Sequence, residues 1–329
     1  MVADDDPLSG ACVAFLSTMY PILGEYPSDI PLHECEIKLT NTETSGQGLD
    51  DFSDRVEGIF LGRRKVAMKA LCAHDKEEVM QKSRLDHSNV LPFIGWCMLD
   101  PASYMVSPWM ENDVLAYVEQ NPQANRLLLV ADGLQYLHTG IDVPVIHGDL
   151  KTANIFIPST GVEKPQRYPT EWYCPGSPRW QAPELLSASS PEEAQRTKKM
   201  DSFAYGRVML AVGLWIRGSS PSSFADGDSH RSWIPFFYLS EATPSLSRMV
   251  LDSQFPERPL DKDAVERGLD DRMWALMKRC WSVDPKQRPS AVVIFDHLKA
   301  ALRGHPDNDS DFGGSAENTR PDKRAKVAK

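Results

Sequence analysis

One stretch of the sequence, from Phe203 to Ile216, is apolar almost all the way round a helical wheel. A helix of this kind has no polar face to turn to water, so other elements must enclose it on every side. Three further apolar stripes recur at helical spacing, over residues 127–137, 269–280 and 294–301. The pattern therefore predicts a large, mainly α-helical unit built around a buried helix.

The preceding residues have a different pattern. Residues 36–71 are typical of short strands, and within them Ala67 and Lys69 alternate onto one face. A helix is predicted over residues 74–85, and two strands joined to an extended segment within residues 90–108. The sequence thus predicts an α+β protein with a small β-rich lobe and a larger α-helical lobe.

Composition narrows the function. The net charge of -10 argues against a general nucleic-acid binder, because neutralising phosphates requires a basic surface. The six cysteines are widely separated with no CxxC pair, which favours neither a zinc site nor a disulfide framework. No stretch approaches the roughly 18 to 20 apolar residues of a membrane span, and the apolar run at 11–16 follows acidic residues, unlike a secretory signal. We therefore expect a cytoplasmic protein without nucleic-acid or membrane partners.

The two ends of the chain are expected to lie outside the folded unit, which covers residues 34–303. Residues 1–33 mix acidic and apolar pieces around several prolines and are interpreted as an arm of unassigned function. Residues 304–329 are polar, and we expect them to be disordered. Their basic cluster (Lys323, Arg324 and Lys326) is compatible with a nuclear-import address, although a solvated tail is the simpler interpretation.

The octet from His147 to Asn154 lies between a predicted helix and a short apolar strand. Phosphoryl transfer needs a carboxylate to orient the attacking hydroxyl, a cation near the γ-phosphate and an oxygen ligand for metal. Asp149, Lys151 and Asn154 supply these within one turn. The octet resembles the catalytic loop of protein kinases, with Gly148 where most have Arg. The resemblance implies that these three residues are catalytic and that Asn154 also binds Mg²⁺.

Two segments upstream resemble the ATP-binding parts of the same family. The strand containing Ala67 and Lys69 is similar to the motif whose Lys holds the α- and β-phosphates of ATP, and Glu78 lies where the Glu that pairs with this Lys is expected. The segment around Pro108 and Met110 resembles the hinge between the lobes. There the resemblance implies that the carbonyl of Pro108 and the N–H of Met110 meet the adenine.

Downstream, the segment that ends at Glu184 resembles the end of a kinase activation segment, and the segment around Arg288 resembles the closing motif of the family. The resemblance implies that Glu184 and Arg288 form a buried ion pair, and that Asp201, at the start of the apolar helix, is also structural. Ser177, in the loop that meets the acceptor, and Lys151 match Ser/Thr rather than Tyr specificity.

The resemblance covers residues 36–303, and the nearest type is the tyrosine-kinase-like group of Ser/Thr kinases. It implies a bilobal protein-kinase-like fold with an N-lobe at about 34–107, a hinge at 108–112 and a C-lobe at 113–303. It also implies ATP and Mg²⁺ as cofactors and proteins as substrates or partners.

Two departures from the family pattern affect ATP binding and regulation. Of the three glycines in the phosphate-covering loop, Gly48 alone remains, and Asp50 and Asp51 bring negative charge close to the triphosphate. We therefore expect weak nucleotide binding. Gly148 lacks the cation that normally grips a phosphorylated activation loop, so we expect no switching of that kind.

A larger departure concerns the metal. Ile157 and Gly176 are separated by 18 residues, where kinases of this type place roughly twice as many, including a strand and the Asp-Phe-Gly magnesium ligand. The segment contains no Asp-Phe-Gly; residues 311–313 spell it, but they lie in the polar tail. Glu163 and Glu171 are its carboxylates; either could reach a metal, but solvated loop acids are the simpler interpretation.

These observations leave two main functions open. One is an ATP-dependent protein kinase acting on Ser/Thr, with Tyr not excluded, whose activity is impaired. The other is a pseudokinase that works as a protein-binding scaffold, which the missing Asp-Phe-Gly favours. A remote alternative is a small-molecule kinase of the aminoglycoside or choline type, since those enzymes also use His-Gly-Asp; Glu184 and Arg288 argue against it.

Overall fold

The computed structural model describes residues 31–33, 35–40, 55–71, 85–99, 102–121, 127–157, 164–165, 178–190, 192–215, 244–252, 254, 258 and 269–303. Several predicted features lie outside these residues: Gly48, Glu78, Ser177, Glu163, Glu171, most of the N-terminal arm, the C-terminal tail and the helix expected over residues 74–85, of which Leu85 alone is described and is not helical.

The small lobe is a six-stranded sheet. Its strands are β1 (Pro31–Leu32), β2 (Ile37–Leu39), β3 (Arg55–Phe60), β4 (Arg64–Leu71), β5 (Gly95–Leu99) and β6 (Ala102–Pro108), in the order β1-β5-β6-β4-β3-β2. Alternate side chains of β3, β4 and β6 point into one apolar core, in which Phe60, Met68 and Val106 are fully buried. The predicted β-rich lobe is therefore present.

The end of the N-terminal arm belongs to this sheet. Pro31 and Leu32, which we expected in a loosely attached arm, pair in parallel with Trp96 and Cys97 of β5. Leu32 is buried in the core of the lobe. A Cβ atom on Gly95 would lie 2.9 Å from the side chain of Leu32, so the glycine provides the space that this leucine fills. Among the residues that the structure describes, the sheet thus starts at Pro31, within the predicted arm.

The large lobe is mainly helical. Its helices are α1 (Val114–Gln120), α2 (Leu127–Thr139), α3 (Pro183–Leu186), α4 (Lys198–Trp215), α5 (Pro244–Leu251), α6 (Asp271–Cys280) and α7 (Ala291–Arg303). Asp113 and Asp270 cap α1 and α6 by accepting backbone N–H groups at 2.8 Å. Helix α4 packs against α1, α2 and α6 and is the buried central helix that the sequence predicts. Among the described residues, no helix is both long and apolar enough to span a bilayer.

The central helix is not wholly apolar, because Arg207 lies fully buried within it. The guanidinium faces the rings of Phe203 and Trp281, with its central carbon 5.1 Å from each ring centroid. Burial lowers the pKa of Arg207 to about 9, so the group still carries its charge at neutral pH. Aromatic faces therefore enclose a cation at a position that the apolar pattern did not distinguish.

A second, three-stranded sheet includes part of the short segment after Ile157. It consists of β7 (Asn112–Asp113), β8 (Ile155–Ile157) and β9 (Lys164–Pro165), in the order β7-β8-β9. Within this segment, Lys164–Pro165 pairs antiparallel with β8. The physical reason is that β8 is buried, so the backbone groups on its second edge need partners that water cannot supply. Two residues suffice to form this pairing.

Candidate active site

The three predicted catalytic residues meet in the turn that leads into β8. A 3₁₀ turn over Thr152–Asn154 brings Asn154 back onto Asp149, so that its Nδ2 donates to both the carbonyl O and the Oδ2 of Asp149 at 2.8 Å. Lys151 Nζ lies 3.9 Å from the same Oδ2. Since Asn154 is buried at 3% exposure, it fixes the direction of the Asp149 carboxylate, which is 15% exposed.

This geometry is suited to orienting a hydroxyl group. Within the described residues, the contacts of the Asp149 carboxylate fall on Oδ2, which directs Oδ1 away from them. A carboxylate held in this way can accept the proton of an attacking hydroxyl, while the neighbouring Lys151 supplies positive charge beside the transferred group. The turn therefore contains the elements that the sequence predicts.

Asp201, at the start of α4, anchors the backbone of the catalytic loop. Its carboxylate accepts the N–H groups of His147 and Gly148 at 2.8 Å, and its Oδ2 lies 2.8 Å from Nε2 of His138. Burial by itself would raise the pKa of Asp201, but the hydrogen bond and charge of His138, the charge of His147 and the N–H of Gly148 together hold it below its usual range. Asp201 is thus a fixed, ionised anchor, in line with the predicted structural role.

Gly148 has a backbone conformation that favours glycine. Its φ is 77°, in the left-handed region, where an L side chain is strained. With this conformation Gly148 directs its N–H to Asp201 while its carbonyl accepts a hydrogen bond from the guanidinium of Arg196. Sequence reasoning missed Arg196, because a single arginine ahead of a helix carries no pattern.

Two of the predicted ATP-binding residues, Ala67 and Lys69, lie on β4 where it pairs with β6. Ala67 is opposite Ser107, and Lys69 is opposite Met105. Ala67 is buried and Lys69 is partly buried. Directly after β6, the N–H of Trp109 donates to the carbonyl of Lys65 at 3.3 Å, which holds the hinge against β4.

A small apolar cluster joins the hinge to the strand that follows the catalytic loop. Met105 of β6 and Phe156 of β8 are buried together, with Phe93 and Met110 packed against them. The segment that contains Pro108 and Met110 is therefore tied directly to the strand that begins after Asn154.

The predicted ion pair between Glu184 and Arg288 is present. Arg288 Nη1 and Nη2 donate to the two carboxylate oxygens of Glu184 at 2.6 and 2.7 Å. Two parallel charge-assisted bonds of this kind fix both position and orientation. The pair holds α3 against the loop that precedes α7, so its role is structural.

Comparison with known proteins identifies the family. The model of the protein kinase domain matches residues 62–298, which include the catalytic loop, the hinge and both partners of the ion pair. The chain belongs to the protein kinase family. Together with the Glu184–Arg288 pair, this match favours a protein kinase over the small-molecule type.

The relatives of this kinase domain include receptor and Ser/Thr kinases. It is 30% identical over 54% of its length to an L-type lectin-domain containing receptor kinase S.1 of Arabidopsis thaliana, covering 30% of that protein. It is 28% identical over 78% of its length to the serine/threonine-protein kinase-like protein CCR4 of Arabidopsis thaliana, and 26% identical over 87% to the probable serine/threonine-protein kinase drkC of Dictyostelium discoideum. The chain spans 38% and 37% of these two relatives.

Protein kinase domains in general use ATP and Mg²⁺, and the residue of the catalytic loop expected to bind Mg²⁺ is Asn154. Asn154 directs its amide nitrogen to Asp149, which leaves one neutral oxygen for a metal. Within the part of the chain that the structure describes, no group of three or more His, Cys, Asp or Glu residues is placed to hold a metal ion. These residues alone do not fit the octahedral oxygen site that Mg²⁺ prefers.

A polar network between the lobes was also missed by sequence reasoning. Asp132 of α2 accepts from Asn89 Nδ2 at 2.8 Å and lies 3.4 Å from His87 Nε2, and the His87 ring stacks on Tyr136 at 4.6 Å. Desolvation lowers the pKa of His87, although the charges of Asp132 and Asp86 oppose the shift. The signal in the sequence is weak, because these residues lie more than 40 positions apart in two unrelated patterns.

Proposed function

We propose that this kinase domain phosphorylates Ser/Thr side chains of proteins in a signalling role, at a rate limited by the missing Asp-Phe-Gly ligand. The observation that carries the proposal is the contact of Asn154 with both the carbonyl and the carboxylate of Asp149 at 2.8 Å. A buried amide that orients an acid in this way is an arrangement suited to hydroxyl activation. Lys151 and Ser177 support Ser/Thr over Tyr as the acceptor type.

The step follows from the positions of these groups. The substrate hydroxyl oxygen attacks the γ-phosphorus of ATP, the bond from that phosphorus to the β-phosphate oxygen breaks, and ADP leaves. Asp149 orients the hydroxyl and receives its proton, while Lys151 stabilises charge on the transferred phosphoryl group. The residues that position the substrate hydroxyl are thereby retained. Neutralisation of the negative charge on the transferred phosphoryl group is impaired, since a carboxylate that would normally hold metal beside Asn154 is missing from the segment after Ile157.

An assay of the purified full chain with ATP, Mg²⁺ and a generic Ser/Thr peptide tests the proposal. We expect slow transfer that Asp149→Asn reduces by at least about a hundredfold, because the hydroxyl-orienting carboxylate is lost. Asp252→Asn, which changes an exposed carboxylate of the large lobe, serves as the control. Transfer that is unaffected by Asp149→Asn would contradict the proposal.

A second function, a catalytically inactive scaffold, is favoured by one observation, the absence of Asp-Phe-Gly between Ile157 and Gly176. A scaffold would bind partner proteins through its surface and show no transfer in either the parent or Asp149→Asn. The same assay therefore separates the two functions.

For the location, we propose the cytoplasm, with access to the nucleus through Lys323, Arg324 and Lys326. The acidic overall charge and the dispersed cysteines support the first part, and the basic cluster supports the second. Deleting residues 320–329 from a fluorescent fusion should reduce nuclear signal. An unchanged distribution would show that the basic cluster is a solvated tail.

A further inference from the structure

We infer that Arg196 is a positioning residue for Asp149, acting through the backbone of the catalytic loop. The inference rests on the proposed phosphoryl transfer and adds a residue to it. Arg196 lies 48 positions from Gly148 along the chain, and its guanidinium donates to the Gly148 carbonyl.

The carbonyl that Arg196 holds belongs to the peptide group that joins Gly148 to Asp149. A peptide group is planar, so fixing its oxygen also fixes its N–H and the Cα that follows. That N–H, on Asp149, donates to Nδ1 of His147 at 3.3 Å. The plane is thereby held at both ends, and the direction in which the Asp149 side chain leaves the backbone is set with it.

Gly148 and Asp201 make this arrangement possible. The left-handed φ of Gly148 turns two successive peptide groups in different directions, so that the N–H groups of His147 and Gly148 face Asp201 and the next carbonyl faces Arg196. Arg196 lies just before α4 and Asp201 lies in its first turn, five positions further along the chain. One short stretch of chain therefore supplies a cation for the loop carbonyl and an anion for the loop N–H groups.

The other cations of this stretch reach different elements. Lys198 Nζ donates to the carbonyl of His138 at the end of α2 at 2.6 Å, and Lys199 donates to the carbonyl of Arg288. Positive charge at a helix N-terminus is opposed by the helix dipole, and a contact with a carbonyl oxygen offsets part of that cost. Of these three cations, Arg196 is the one that donates to a carbonyl of the catalytic loop, which makes Lys198 a matched control.

Hydrogen–deuterium exchange of the full chain tests the inference without requiring activity. In Arg196→Gln, exchange in peptides covering residues 147–151 should become about tenfold faster, the effect expected when a charge-assisted hydrogen bond is lost. Arg196→Lys should retain part of the protection, and Lys198→Gln should leave these peptides unchanged. Unchanged exchange in Arg196→Gln, or the same acceleration in Lys198→Gln, overturns the inference.

Kinetics then separate positioning from a general structural role. Arg196→Gln should lower kcat for peptide phosphorylation about tenfold while leaving the KM values for ATP and peptide unchanged, and Arg196→Lys should recover part of kcat. An unchanged kcat despite faster local exchange overturns the inference. Faster exchange throughout α7 in Arg196→Gln would mean that this variant loosens the whole large lobe. In that case Arg196→Lys is used instead, and its exchange over residues 147–151 and its kcat decide whether Arg196 positions the loop. A parent protein without any transfer refutes the proposed function alone, and the exchange result still decides whether Arg196 holds the loop.

Discussion

The guanidinium of Arg288 is completely buried, whereas the carboxylate of Glu184 that it binds keeps 29% of its side chain exposed. Arg288 also donates to the carbonyls of Ser282 at 2.8 Å and Lys199 at 3.2 Å. The pair is therefore asymmetric: removing Glu184 leaves a buried cation with backbone partners alone, while removing Arg288 leaves an anion that water can reach.

Glu184→Ala is expected to destabilise the protein by about 3 kcal/mol. This value is the lower end of the cost of breaking a buried ion pair, because the partial exposure of Glu184 reduces that cost. Urea unfolding followed by fluorescence measures the difference. Asp252→Ala breaks the exposed pair between Arg248 and Asp252 and should cost at most about 0.5 kcal/mol. Equal losses in the two variants would contradict a structural role for Glu184.

Nucleotide binding is predicted to be weak and to depend on Lys69. With one glycine left in the phosphate-covering loop, we expect Lys69 and the hinge to provide the main contacts with ATP. We expect an ATP dissociation constant of roughly 10 μM or weaker, raised at least about tenfold in Lys69→Ala through loss of charge-assisted hydrogen bonds. Calorimetric titration measures both values, and Lys38→Ala, an exposed lysine of the same sheet, is the control. Submicromolar binding, or equal binding by Lys69→Ala, would refute the prediction.

The parts of the site that could be predicted from the sequence are the local ones. Asp149, Lys151 and Asn154 lie within six residues, so one turn brings them together whatever the rest of the chain does. The buried helix α4 could also be predicted, because its apolar character is continuous. In both cases the information lies within a single element.

The parts that could not be predicted depend on contacts between distant elements. Arg196 reaches Gly148 across 48 positions and belongs to no periodic pattern. Arg207 lies inside a predicted apolar stretch, and the rings that enclose it come from Phe203 of the same helix and from Trp281 directly after α6, a distant part of the sequence. Strand β9 has two residues, too few to show alternation, and it forms because buried β8 needs a partner on its second edge.

His87 is predicted to make the fold sensitive to mild acid. Its pKa is lowered by desolvation, so the folded state disfavours the proton that the unfolded chain binds near pH 6.5. The contribution of His87 to folding stability is therefore present above pH 6.5 and is lost as the pH falls from 6.5 toward the lower folded-state pKa. NMR titration of the imidazole should give a pKa below 6.5, and His87→Gln should reduce the loss of stability between pH 7.5 and 5. A measured pKa at or above 6.5 would contradict the assignment.

Placing a carboxylate directly after β9 is predicted to increase phosphoryl transfer. Pro165 pairs with Ile155 in an antiparallel register, so the chain leaves β9 at the end of the sheet where Asn154 enters β8. Gln166 and Arg167 follow β9 directly in the sequence, and an Asp substituted at either position adds the kind of charged oxygen ligand for Mg²⁺ that the described residues lack.

We expect at least one of Gln166→Asp and Arg167→Asp to raise kcat by about tenfold or more, because metal-held charge stabilises the transition state. Initial rates of peptide phosphorylation across a range of Mg²⁺ concentrations measure the gain. Gln166→Asn and Arg167→Asn are the neutral controls, and adding Asp149→Asn to the faster variant should abolish its activity. A gain that the neutral variants share would show that charge is not the cause. No gain in either Asp variant would mean that a missing carboxylate beside Asn154 is not what limits the reaction, and a gain that survives Asp149→Asn would place the chemistry elsewhere.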